Sequence, residues 1–236
     1  MIRLVLIIIY LFLFFTIGQI SLIIGFFIEI LNKELAYKYY KSIINNVFIT
    51  IMFIAGTKVN IKGLNNIEDD TYFIVANHRS LFDIVTLFPF IKLKFGLIAK
   101  KELDLPLLNI WMKKINCLFI DRNDLRQGLE VINKSVDNIN NNISMMVFPE
   151  GTRNKNSSFK DMLEFKEGSF KIAKISNCKI LPIAIKNADD CFERNNFKIK
   201  KAIVNIIVGN PFYIDNISKE DQSQLGLYTK KIIINL

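Results

Sequence analysis

The chain has 236 residues, 51% of them hydrophobic, and a formal net charge of +9 from 31 Lys+Arg against 22 Asp+Glu. That length buries one full core, and the basic balance suits nucleic acid, anionic lipid or phosphorylated substrates. A strongly apolar N-terminus argues against nucleic acid, and a lone histidine with three dispersed cysteines argues against a zinc site.

From Leu4 to Ile28 there is no charged residue. As one helix rising about 1.5 Å per residue, this run would cover a hydrocarbon core of ~30 Å. It is longer than the apolar core of a signal peptide, about 7–15 residues. Phe26-Phe27-Ile28-Glu29 offers no small-x-small cleavage site, so a retained anchor is expected. Lys33 to Lys41, with Tyr37, Tyr39 and Tyr40, reads as a charged collar at the headgroup layer. Ser42 to Gly56 is uncharged but short for a span, and suits a buried or interfacial helix. One true span and a hairpin dipped into a single leaflet both stay open. The polar Thr16, Gln19 and Ser21 favour the shallower picture.

From Thr57 on, short apolar runs alternate with helical patterns. Strands are expected at Lys58–Lys62, Tyr72–Ala76, Phe95–Ala99, Cys117–Ile120, Met145–Phe148, Ile180–Ile185 and Ala202–Val208. Helices are expected at Leu81–Phe88, Leu107–Lys114, Asn123–Asn138, Phe165–Ile175 and Lys219–Ile234. The alternation predicts an α/β domain over residues 57–236, a mixed sheet flanked by helices, behind a membrane-associated helical segment at 1–56. Cys117, Cys178 and Cys191 form no C-x-x-C pair and suit idle thiols in a reducing compartment.

His78 is the only side chain here that titrates near neutral pH without perturbation. It sits in Asn77-His78-Arg79-Ser80-Leu81-Phe82-Asp83, after a strand and before a helix. Asp83 has two readings. It closes a capping box with Ser80, or it points back from the first helical turn to orient the imidazole as a general base. Ser80 is within reach of His78 by spacing, so a covalent serine route stays open, although no Gly-x-Ser-x-Gly elbow is present. A second block, Phe148-Pro149-Glu150-Gly151-Thr152-Arg153, reads as a strand end and a tight turn. A guanidinium beside a glycine turn suits bidentate capture of a phosphate.

Together these blocks resemble the glycerolipid acyltransferase family, most closely the 1-acyl-sn-glycerol-3-phosphate acyltransferases. Lys100-Lys101-Glu102-Leu103, Pro106 and Phe119-Ile120-Asp121-Arg122 resemble its second block, and Leu181-Pro182-Ile183 its fourth. Phe165-Lys166-Glu167-Gly168 and Gly209-Asn210-Pro211 also fit the pattern, so the resemblance runs from Thr57 to Pro211. Asn109 and Asn116 stand where the second block often carries glycine, and asparagine tolerates positive φ better than most residues.

The resemblance implies transfer of a fatty acyl group from acyl-CoA or acyl-carrier protein to the sn-2 hydroxyl of lysophosphatidic acid. The product would be phosphatidic acid. An acyltransferase acting on glycerol-3-phosphate or another lyso-lipid is the alternative. It assigns the general base to His78 and its orientation to Asp83, with oxyanion donors among backbone N–H groups near the His78 loop. Lys100, Arg122 and Arg153 would hold the acceptor phosphate in a pocket shaped by Glu150, Gly151 and Thr152. Glu150 would bind a glycerol hydroxyl or hold an arginine. The implied partner is a lipid bilayer, with the catalytic domain on its cytoplasmic face, and no metal or bound cofactor is implied.

Overall fold

The computed structural model describes residues 1–156 and 158–236. Seven strands form one sheet in the order β1-β7-β6-β2-β5-β3-β4. They are β1 Lys58–Lys62, β2 Tyr72–Ala76, β3 Phe95–Lys100, β4 Leu118–Ile120, β5 Ser144–Val147, β6 Lys179–Lys186 and β7 Ile203–Val208. Every neighbouring pair is parallel except β6 with β7, so the sheet is mixed as the alternation predicts.

Central strands buried on both faces read as unbroken apolar runs, and β2 is buried at all five positions. Their side chains alternate between two cores. Tyr72, Ile74 and Ala76 join Met146, Phe148, Leu181 and Ile183 on one face. Phe73 and Val75 join Met145, Val147, Ile180 and Ala184 on the other. The first face is covered by α1 Ile2–Ile17, α2 Gln19–Leu31, α3 Lys33–Ala55, α4 Phe82–Leu87 and α5 Pro106–Lys114. The second is covered by α6 Leu125–Asn140, α7 Lys171–Ser176 and α9 Leu225–Asn235, with α8 Lys219–Ser223 leading into α9.

Of the two N-terminal pictures, a single straight helix does not form. The uncharged run is two helices, α1 and α2, bent by 47° at Gly18. Glycine is a poor helix former, and Thr16 Oγ1 bonds back to the carbonyls of Phe12 and Leu13, a pattern that bends helices. Among the described residues no single helix is long and apolar enough to cross a membrane, although the bent pair passes that test by length and composition.

The collar is also not a separate surface segment. It is the first half of α3, which starts at the Asn32 cap and ends on Gly56 in the left-handed region. Tyr37, Tyr40 and Lys41 share a buried stripe with Ile44, Val47, Ile51 and Ala55, at helical spacing. Tyr37 Oη accepts from the Phe95 amide at 2.9 Å, and Lys41 Nζ donates to the Ile91 carbonyl at 2.8 Å. Burial pulls the Lys41 ammonium down to about 8.

Two C-terminal helices differ from their expected bounds. Residues Phe165 and Lys166 stay extended because the Lys166 amide donates to the Pro149 carbonyl, and α7 begins only after a 3-10 turn at Glu167–Phe170. The run at Lys219–Ile234 breaks at Gln224, which leaves the helical region. Asn109 lies inside α5, where no turn is needed. Asn116 has φ 59°, so asparagine does supply a left-handed residue before β4. There the chain passes so close to β3 that a Cβ on Gly96 would stand 2.0 Å from the Asn116 carbonyl oxygen. Gly96→Ala should therefore destabilise the fold by about 1–3 kcal/mol through overpacking against backbone, read from denaturant midpoints.

Candidate active site

Parallel strands end together, and ligands in such sheets bind beyond their carboxyl ends. Here the ends bring five segments side by side in sheet order. Residues 187–196 follow β6 and the His78 loop follows β2. The Pro149–Asn154 turn follows β5, Lys101–Leu103 follows β3, and Asp121–Arg122 follows β4.

His78 Nδ1 lies 2.8 Å from Asp83 Oδ2, with the histidine 23% exposed and the aspartate fully buried. The same Oδ2 accepts from the amides of Arg79 at 2.7 Å and Ser80 at 2.8 Å. The capping box is half formed, since Asp83 takes the Ser80 amide but the Ser80 hydroxyl takes the Phe82 amide rather than that of Asp83, while the same Asp83 oxygen grips the imidazole. A carboxylate acceptor makes Nδ1 the protonated nitrogen, which leaves the Nε2 lone pair free. Nε2 has no partner among the described residues. The ring stacks on Phe148 at a centroid distance of 4.3 Å and 17°. Burial pushes the Asp83 carboxyl above its ordinary value, against the pull of His78 and the two amides.

Among the described residues Glu150 binds no arginine. It is buried, and its Oε1 accepts from the His78 amide at 2.6 Å while Oε2 accepts from the Leu163 amide at 3.0 Å. Burial is the main influence raising its pKa. The Asn154 amide returns to the His78 carbonyl at 2.7 Å, so the turn and the histidine loop are fastened in both directions. Gly151 adopts φ 73°, and its backbone amide closes on the Phe148 carbonyl at 3.0 Å.

Backbone accounting separates the amides inside the His78 loop from those beside it. The amides of His78, Arg79, Ser80, Leu81 and Phe82 donate to Glu150, Asp83, Asp83, Glu193 and the Ser80 hydroxyl. None of them is available to an oxyanion. The amides of Thr152 and Arg153 in the neighbouring turn carry no hydrogen bond among the described residues. Ser80 Oγ donates to Glu193 Oε2 at 2.6 Å and makes no bond to His78, so the pair needed for a serine nucleophile is not assembled.

The predicted phosphate ligands come from the ends of three neighbouring strands, β5, β3 and β4. Arg153 Nη1 pairs with Glu193 Oε1 at 3.0 Å. Arg122 lines a groove beside Gly151 and Lys166. Lys100 is exposed at the end of β3. Two residues escaped the sequence reading. Glu193 joins Ser80, Leu81 and Arg153 from more than a hundred residues away along the first two. Arg79, inside the histidine block, is buried with Nε and Nη2 on Asp189 Oδ2 at 3.0 and 2.9 Å, and it donates to the carbonyls of Asn156 and Ser158. No local pattern marks either pairing.

A family model described as acyltransferase matches residues 58–186. The 1-acyl-sn-glycerol-3-phosphate acyltransferase of Saccharomyces cerevisiae is 27% identical over 179 residues, 75% of this chain and 58% of the yeast protein. That of Borreliella burgdorferi is 29% identical over 187 residues, 78% of this chain and 70% of the relative. The chain thus spans little more than half of the yeast protein. The crystal structure of the 1-acyl-sn-glycerophosphate acyltransferase PlsC from Thermotoga maritima superposes with a TM-score of 0.83 at 23% identity. It covers 99% of this chain and 92% of that one, a likeness of fold.

Glu150→Gln should weaken the fold by about 1–3 kcal/mol, because an NH₂ would face an amide donor. A raised carboxyl binds protons more readily in the folded chain than in the unfolded one, so stability rises as pH falls through that window. Wild type should accordingly gain on Glu150→Gln between neutral pH and the ordinary carboxylate range, measured by denaturant titration at several pH values.

Proposed function

Because the chain belongs to the acyltransferase family, we propose that it transfers a fatty acyl group from a thioester to the sn-2 hydroxyl of 1-acyl-sn-glycerol-3-phosphate. The product is phosphatidic acid, made for phospholipid synthesis. The observation that carries this reading is an imidazole gripped at Nδ1 by a buried carboxylate and open at Nε2.

His78 Nε2 takes the proton of the acceptor hydroxyl as the oxygen attacks the thioester carbonyl. Asp83 fixes the tautomer and stabilises the imidazolium as it forms. The tetrahedral intermediate collapses, the carbon–sulfur bond breaks, and the imidazolium returns the proton to the leaving thiolate. The thioester is already activated, so the step draws on no metal or bound cofactor. The free amides of Thr152 and Arg153 are the donors assigned to the oxyanion.

Arg153 is the cation assigned to the acceptor phosphate, with Lys100 from the end of β3 and Arg122 from the end of β4 as its partners. Its bond to Glu193 uses one guanidinium nitrogen and leaves other donors for a phosphate. Glu150 and Gly151 shape the turn from behind. The acceptor is a lipid, and α1 and α2 expose Ile8, Phe12, Ile23 and Phe27. An interfacial placement on a bilayer, with the catalytic segment toward the cytoplasm, lets the site draw a lipid from one side and a soluble donor from the other.

His78→Ala should lower turnover at least ~10³-fold in detergent micelles, since base and orientation are lost together. Retention of most activity would end the histidine-base reading. Arg153→Ala should raise the KM for the phosphate-bearing acceptor about tenfold or more, the scale of a lost charge-assisted contact. An unchanged acceptor KM removes Arg153 from the phosphate site, and product from glycerol-3-phosphate but not from the lyso-lipid reassigns the acceptor.

A further inference from the structure

The α6 helix carries a glycine that its own structure does not require. Gly128 lies inside the helix, and a Cβ added there would meet nothing within 4 Å. Glycine inside a helix destabilises it relative to alanine. Gly168, at the turn before α7, faces equally open space. Both line a groove of about 510 Å³ that reaches Phe148, Pro149 and Gly151, and Phe148 is the ring on which His78 stacks.

The walls of this groove are apolar. Leu125, Leu129 and Ile132 of α6 follow one another at helical spacing along it, and Val147 and Ile172 also line it. Leu125 and Leu129 are exposed, while Val131, Ser135 and Ile139 of α6 are buried and Ile132 packs partly against the core. Val131 and Ile132 thus join the core to the groove, and the two leucines at the start of α6 stay exposed beside it among the described residues.

The charges along the groove are unbalanced. Arg122, Lys166 and Lys171 line it, and none of them forms an ion pair among the described residues. The two carboxylates on the lining are engaged. Asp121 pairs with Lys101 Nζ at 3.3 Å, and Asp124 accepts from the amides of Arg126 and Gln127 to cap α6.

The groove lies with α6 and α7, on the sheet face opposite α1–α3. A lipid acceptor approaches from the exposed apolar helices, which leaves this groove to the soluble substrate. We propose that it holds the phosphopantetheine arm of the thioester donor. That arm is narrow and uncharged along its length, and it carries a phosphate at one end and the thioester at the other. The thioester end lies at Phe148 and His78, and the phosphate meets Lys166 and Lys171. The proposal rests on the acyl-transfer reading above. Coenzyme A and acyl-carrier protein present the same arm.

Gly128→Leu fills the groove from a position with room for the side chain, so folding is retained. Binding of coenzyme A and of phosphopantetheinylated carrier protein to the detergent-solubilised full chain would be measured by calorimetry, beside thermal unfolding. The variant should bind both at least tenfold more weakly, with an unchanged or higher Tm. In turnover, the donor KM should rise while the acceptor KM stays within twofold. A paired Lys166→Gln/Lys171→Gln variant should lose affinity for both donors but keep the wild-type KM for an acyl-pantetheine that lacks the phosphate. Tighter binding of one donor over the other by wild type identifies which carrier the chain uses. Unchanged donor affinity in Gly128→Leu, or no binding of either donor by wild type, overturns the proposal. A rise in acceptor KM alone also overturns it and gives the groove to the lipid. Groove-dependent donor binding without any acyl transfer would leave the groove assignment standing and remove the acyl-transfer reading instead.

Discussion

One buried oxygen atom sets the geometry on which the candidate site depends. Asp83 Oδ2 receives the His78 ring and the amides of Arg79 and Ser80 within 2.8 Å. Three donors on one carboxylate oxygen in a dry site offset only part of the cost of removing that charge from water. They also fix the loop backbone and the ring against one another. An imidazole free to turn would present either nitrogen; this one presents Nε2.

The surrounding loops repeat the same logic with different acceptors. Glu150 takes the His78 amide, Glu193 takes the Leu81 amide and the Ser80 hydroxyl, and Asp189 takes the Arg79 guanidinium. Glu150 follows β5, and Asp189 and Glu193 both follow β6, the two strands that flank β2. The parallel sheet puts those strand ends side by side, so the histidine loop is held from both flanks. The same bonds occupy every amide from His78 to Phe82, which moves the search for an anion-stabilising donor to the next turn.

Much of this was legible in the sequence, for physical reasons. β2, buried on both faces, is one continuous apolar run and falls at its expected bounds, and so does β1, whose apolar and polar residues alternate. The spacing of His78 and Asp83 forces a loop-to-first-turn geometry, and that contact forms. What was not legible depends on long-range partners. Glu193 and Asp189 sit in a polar stretch with no periodicity, and their roles exist only once β6 is laid beside β2. Tyr37, Tyr40 and Lys41 carry headgroup chemistry by composition, yet a helical stripe against the sheet buries them. The bend at Gly18 arises from a glycine and a nearby threonine back-bond, which apolar composition does not register.

A single histidine makes the central claim directly observable. Protein labelled with ¹⁵N-histidine in detergent gives one pair of imidazole nitrogen resonances, which report tautomer and titration. Above the histidine's titration, a protonated, strongly hydrogen-bonded Nδ1 and an unprotonated Nε2 are predicted, with that signature lost in Asp83→Asn. A neutral ring protonated at Nε2, or one whose tautomer is the same in Asp83→Asn, would contradict the assignment of His78 as a base held ready by Asp83.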